Sequence, residues 1–210
     1  MAVDILSQVN HRYKQAVDFH RCASHLFSFL ALEGFSVLHK YQHMCEDLTQ
    51  LKVAEFIITT YHTMPDEQPL QPQESCLKNK HRLQLSANDI WSCVKQHFAD
   101  YRKWESETLS LYEECAKNLS DKNDIIAYDF VKNLALEVHA ELVHITDMIL
   151  AYNSIDWSLE HILQEQDTLK ERYKYLIANL HPPYTGHHKN SDVSESKKGL
   201  YYVPNSGIIN

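Results

Sequence analysis

Glycine and proline are scarce, 4 and 6 residues among 210. With so few helix breakers, long uninterrupted helices are expected. Basic charge is also in short supply: 20 Lys and Arg against 28 Asp and Glu leave a formal net charge of −8. That balance argues against a nucleic-acid-binding face and suits a surface that attracts cations. No stretch approaches the roughly 18 consecutive apolar residues that a membrane span needs. No Cys-x-x-Cys pair occurs among Cys22, Cys45, Cys76, Cys93 and Cys115, which excludes a zinc knuckle or a thioredoxin motif. The odd cysteine count fits a reducing compartment better than a disulfide scaffold. The opening residues, Met1-Ala-Val-Asp-Ile-Leu-Ser-Gln8, hold no basic region followed by an apolar run. The expectation is a cytoplasmic chain without a signal peptide, away from membranes and nucleic acid.

What the chain does contain is helical periodicity. A first segment, from about Asp4 to about Leu32, carries the seam Val9, Tyr13, Ala16, His20, Ala23, Phe27 and Leu30. Its alternating spacing of four and three is that of a helix packed in a bundle. Gly34 is expected to end it or to mark a tight turn. A second segment, from about Phe35 to His62, carries His39, Gln42, Glu46, Thr49, Val53 and Phe56. The stretch from Thr63 to Ser86 holds three prolines and little periodicity, longer than an ordinary helix–helix turn. A third segment begins near Ser86, a suitable N-cap with Asp89 at N3. Its seam is Val94, Phe98, Tyr101, Glu105, Thr108, Tyr112, Cys115 and Leu119. After a polar turn, Ser120–Asp124, a fourth segment runs to about Tyr152 through Leu134, Val138, Glu141, Ile145 and Met148. Short turn, long crossover, short turn is the connectivity of a four-helix bundle with one crossover. A fifth helix is expected from about Asp156 to Leu180, its heptad stripe packing on its own bundle or on a symmetry mate. The reading is therefore all-α: a bundle over residues 1–152, a fifth helix over 153–180, and a largely flexible tail over 181–210.

Each bundle seam is interrupted by one ionisable residue: His20, Glu46, Glu105 and Glu141. A charged carboxylate in a bundle core costs several kcal/mol unless something compensates it. Three carboxylates and an imidazole converging in one core suggest a cation, and such donors suit Fe, Mn and Zn. Glu141-Leu-Val-His144 adds a Glu-x-x-His spacing that puts two ligands one turn apart. Other partnerships stay open at this point. Glu105 could bond Tyr101 or His20, and Glu141 could pair with His144 or Lys132. His39 and His43 share a zinc-compatible spacing that surface histidines also show, and His187-His188 is read as incidental. The 14 histidines are many for this length.

Short blocks then carry a resemblance. Leu32-Glu-Gly-Phe35 followed by Gln42 and Glu46 resembles the start of helix B in bacterial ferritins. Trp104-Glu105, Leu111-Tyr-Glu-Glu114, Ala116, Asp121-Lys-Asn-Asp124 and Asp129-Phe130 are similar to the ferritin C helix, its turn and the start of helix D. Glu137 to Glu141 is similar to the middle of that helix D, and the resemblance covers roughly residues 6–150. It implies a ferritin-like bundle with a long B–C crossover; the fifth helix expected from the heptad stripe is much longer than the family's usual short one. It further implies a homo-oligomer forming a hollow 24-subunit shell, with iron (Fe2+/Fe3+) oxidised by oxygen and stored as ferric mineral. Carried residue by residue, it places Glu46, Glu105 and Glu141 on ligand positions and His20 where the family has a Tyr beside the centre. Tyr13, or Arg12 in a slipped register, stands at the family's helix A Glu, Thr49 at its helix B His, and Val138 at a helix D Gln. Cys45 stands where animal heavy chains have a further carboxylate. Asp129 matches an acidic position of the iron-entry axis, and Lys132 reverses the charge at the next. The expectation is a remodelled, weak ferroxidase centre with Glu46 and Glu105 as its catalytic pair and Glu46, Glu105, Glu141, His20 and His144 as metal ligands. The alternatives are a ferritin-fold structural or interaction protein without iron oxidation, and a small-molecule oxidase of the wider carboxylate-bundle class.

Overall fold

The computed structural model of the chain describes residues 1–66, 68–70 and 81–180. Five long helices account for most of them: α1 (Ala2–Phe29), α2 (Glu33–Tyr61), α3 (Ala87–Asp121), α4 (Ile125–Ser154) and α5 (Leu159–Ala178). A single short 3₁₀ turn, Arg82–Gln84, precedes α3. No strand occurs among the described residues, and no helix there is long and apolar enough to cross a membrane. The expectations for the tail from His181, including His187-His188, lie outside the described residues.

The ends of α3 follow from local chemistry. Ser86 accepts from the backbone N–H of Asp89 while Asp89 accepts from the N–H of Ser86, at 3.1 Å each, so two orphan donors are satisfied reciprocally. Asp124 caps α4 by accepting from the N–H of Ala127, and it also receives the Tyr61 hydroxyl, which ties the end of α2 to the α3–α4 turn. The first turn departs from expectation. Gly34 lies inside α2, and the reversal is made at Ala31, whose φ of 59° is left-handed.

Gly34 is needed for a different reason. A Cβ there would meet the backbone oxygen of Gln166 at 2.5 Å and its Cα at 2.8 Å. α2 and α5 touch backbone to backbone at this point. The N–H of Phe35 donates to Gln166 Oε1 across 3.2 Å, so α5 supplies the cap that Leu32, the residue before α2, does not. Lys170 of α5 pairs with Glu33 alongside. The fifth helix is therefore packed on its own bundle, burying Ile162, Gln166, Leu169 and Tyr173, while Leu159 at its start stays exposed.

Residue pairs fix the directions. Asn10 meets Gln50 and His20 meets His39, so α1 and α2 are antiparallel. Arg12 meets Thr108 and Phe27 meets Phe98, so α1 and α3 are antiparallel. It follows that α2 and α3 run parallel, which the crossover between them permits. Tyr101 meets Glu141 and Phe98 meets Tyr152, so α4 reverses α3. Two apolar clusters fill the bundle. One joins Phe27, Phe35, Leu38, Phe98, Ile145 and Tyr152 to the buried face of α5. The other holds Leu6, Val9, Val53, Ile57, Tyr112, Leu119 and Val131 at the far end. His20, Glu46, Glu105 and Glu141 fall in the layer between them.

Cysteine behaves otherwise than the odd count implied. Cys93 is disulfide-bonded, its partner lying outside the described residues, while Cys22, Cys45 and Cys115 are free thiols. The cysteine argument for a reducing compartment therefore fails.

The contact at Gly34 generates a test. On an open helix surface, Gly→Ala stabilises by about 1 kcal/mol. Here the added methyl meets backbone, and overpacking costs about 1–3 kcal/mol. Gly34→Ala is expected to lower the urea midpoint and to speed proteolysis within α5; a raised midpoint would contradict the backbone contact.

Candidate metal centre

Three helices bring one ligand each to a common point. A ring nitrogen of His20 (α1), a carboxylate oxygen of Glu105 (α3) and one of Glu141 (α4) all lie within 4.8 Å of one another. Donors bound at about 2.0–2.2 Å to one cation stand about 3–4 Å apart, so a shift of at most about 1 Å per side chain would bring all three onto a single ion. His20 is fully buried and Glu105 is 3% exposed.

Solvent removal dominates the charge state here. Burial pushes the Glu105 carboxyl well above the usual carboxylate range, and Glu141 and Glu46 push it further, while Arg12 opposes them. Glu46 is raised well above that range by burial, then by Glu141 and Glu137. Glu141 is pushed up to about 7 by burial, against the Tyr101 hydroxyl, which donates to it. The one nearby guanidinium, Arg12, spends its donors elsewhere. It lies 3.3 Å over the Trp104 ring and donates to Thr108 Oγ1 at 2.8 Å and to the Trp104 carbonyl at 3.0 Å. Three mutually repelling carboxyls are thus left holding protons that a divalent cation could displace.

Behind His20 runs a chain of imidazoles. His20 Nδ1 lies 2.9 Å from His39 Nδ1, and His39 Nε2 lies 3.0 Å from His97 Nε2. Burial lowers all three, His20 to about 3 and His97 to about 4, so each ring is neutral. Each neutral ring carries one N–H, so the chain has two proton arrangements. In one, His20 donates from Nδ1, His39 donates from Nε2, and the His20 Nε2 lone pair is free. That Nε2 is buried with no hydrogen-bond partner, which is costly for an N–H and suits a metal donor. The residues present therefore fit a divalent cation with one nitrogen and two oxygen donors.

The remaining expected ligands are placed differently. Glu46 stays outside the three-residue cluster but faces the same carboxyls from α2, and it keeps some solvent exposure. It lines a cleft of about 530 Å³ between α2 and α4, with Tyr13, Tyr41, Glu137, Glu141 and His144 among the other walls. Glu46 and Glu141 are the links between that cleft and the buried cluster. His144 does not join the centre. Its Nε2 lies 3.3 Å from the Tyr173 hydroxyl, because residues three apart on a helix differ by about 60° in direction and that turn aims His144 at α5. Thr49 donates its hydroxyl to the Cys45 carbonyl at 3.1 Å, Tyr13 packs on the Tyr112 ring, and Val138 is buried and apolar. His43 is turned to the Val17 carbonyl at 3.0 Å, so the His39/His43 pair forms no site. Sequence reasoning missed His97, whose position beside the seam residue Phe98 gives no periodic signal. It named His39 in the α2 seam and, with His43, in a zinc-compatible spacing.

Family models, curated proteins and solved structures all yield no match to this chain.

The opposed shifts set a pH dependence. The histidines are depressed in the folded state, so their contribution is complete above about pH 6.5 and is lost as pH falls toward their folded values. The carboxyls are raised, so their contribution is complete below about pH 4.5 and is lost as pH rises through their folded values, about 7 for Glu141. Between about pH 6.5 and about 8 the carboxyls dominate the differential titration, since the raised Cys22, Cys45 and Cys115 thiols join only nearer their ordinary value of about 9. With chelator present, the melting temperature is expected to fall as pH is raised from about 6.5 to about 8. Glu141→Gln is expected to flatten that slope, and an unchanged slope in this variant would exclude Glu141 as a source.

Proposed function

We propose that this protein takes up Fe(II) at the layer formed by His20, Glu105 and Glu141 and oxidises it slowly with oxygen, as a ferritin-like iron-handling bundle. The observation that carries the reading is the convergence of one imidazole and two carboxylates from three helices on one buried point, with His20 Nε2 left free. Carboxylate and imidazole donors between facing helices are the way bundles hold iron. His20 would supply the nitrogen donor, and Glu105 and Glu141 the oxygens. Tyr101 orients Glu141 by donating to it. Glu46, standing in the cleft, is suited to receive the incoming cation and pass it inward. The absence of useful donors at Tyr13, Thr49 and Val138 favours one tightly held ion over a matched pair. A 24-subunit storage shell filled with ferric mineral rests on the sequence resemblance alone.

One observation favours a second reading. The cleft is large enough for a small organic molecule and ends at Glu46 and Glu141. An oxidase of the same carboxylate-bundle class, acting on such a molecule, would use the same centre.

Anaerobic Fe(II) titration followed by exposure to air separates these. One tight Fe(II) per chain is expected, lost in Glu105→Ala and Glu141→Ala. Tyr101→Phe is expected to weaken binding by about 10-fold, as removal of a partner that orients a ligand does. Iron binding equal to wild type in both alanine variants would sink the proposal. A ferric core in air would support storage; oxygen uptake only with an added organic substrate would support the second reading.

A further inference from the structure

The outward face of α4 is unusually apolar for a surface helix. Leu136 is 59% exposed, Val143 47% and Leu150 59%, spaced seven apart so that they form one stripe. Ala140 and Ala151 are exposed on the same face. α3, by contrast, turns charged residues outward, among them Lys103, Glu107, Glu113, Glu114 and Lys117. An apolar stripe of this length marks an interaction site more often than chance exposure.

The order of residues along the stripe says what covers it. Counted outward from Val143, Leu136 and Leu150 stand at seven residues on either side. At four residues stand His139 on one side and Asp147 on the other, both exposed. A second α4 laid antiparallel, with a two-fold axis through Val143, sets Leu136 against Leu150 twice and His139 against Asp147 twice. An imidazole facing a carboxylate is complementary where a like pair would repel. Such self-complementarity is what an isologous interface requires. The small Ala140 next to the axis permits close approach of the helices. The stripe is also continuous with the cleft, since Leu136 and Ala140 belong to its wall.

We propose that the protein pairs with a second copy of itself through the Leu136–Val143–Leu150 face of α4, and that the partner's helix covers the α4 side of the cleft mouth. The pairing stands on this surface alone and is independent of which ion the buried centre holds. In the pair the cleft loses its open wall, and access to Glu46 narrows to the α2 side.

Cysteine placement tests the axis. Val143→Cys lies beside its own copy and is expected to give a covalent pair with a short bismaleimide. Leu150→Cys alone lies about 21 Å from its copy along the helix and is expected to give none, while a mixture of Leu136→Cys and Leu150→Cys chains is expected to pair. Wild-type protein, which carries Cys22, Cys45 and Cys115, is the blank. Val143→Asp puts two like charges at the axis and is expected to halve the particle mass by sedimentation equilibrium, with helical circular dichroism unchanged. A one-chain mass for wild type, a larger particle in which Val143→Cys yields no covalent pair, or pairing of Leu150→Cys alone as strong as that of Val143→Cys overturns the proposal.

Discussion

Burial of carboxyls that face one another, with Arg12 the cation acting on them among the described residues, is the constraint around which this bundle is organised. Two apolar clusters would fill a bundle of this length on their own. Between them the sequence places three carboxyls and an imidazole. The single guanidinium within reach, Arg12, is held over Trp104 and bonded to Thr108 and the Trp104 carbonyl. Desolvation at such sites costs several kcal/mol per charge, large beside the whole stability of a typical domain. The bundle meets this cost by neutralising its groups: carboxyls raised, imidazoles lowered, every hydrogen bond in the histidine chain between neutral rings. A layer kept neutral by protonation has one evident exchange partner, a cation that takes the place of the protons.

The neighbours of the layer show how it is held. Phe19 packs against His20, His97, Tyr101 and Trp104 at centroid distances between 5.2 and 5.8 Å. Phe27 stacks on His39 at 5.4 Å. These rings fix the imidazoles from the side while their nitrogens bond end to end. Orientation of the imidazoles therefore comes from packing together with their own hydrogen bonds, as a well-supported site requires.

Much of this was legible in the chain. Periodicity located the four bundle helices within a few residues, and Ser86 with Asp89 marked the start of α3 by chemistry that depends on neighbours alone. The seam interruptions at His20, Glu105 and Glu141 were visible because a helix repeats its faces regularly, so a polar residue at an apolar phase stands out. What was hidden depends on distance in space. Gly34 was read as a terminator because its actual reason, the backbone of Gln166, lies 132 positions later. His144 had the right spacing to join Glu141, but α5 offered Tyr173 instead. His97 lies off the seam phase, and only the meeting of α2 with α3 connects it to His39. The reversal at Ala31 carries no glycine to announce it.

The cap that α5 places on α2 ties an early helix to a much later one. The Phe35 N–H finds its acceptor in Gln166, 131 positions on, so the first turn of the second helix is finished only after three further helices have been made. Domains begin to fold while synthesis continues. During that interval α1, α2, α3 and α4 can assemble, while the α2 terminus and the apolar surface awaiting Ile162 and Leu169 stay wet. Closure of that surface is thereby deferred until the fifth helix has emerged. A copy halted before Gln166 would keep an uncapped α2 and an open apolar flank.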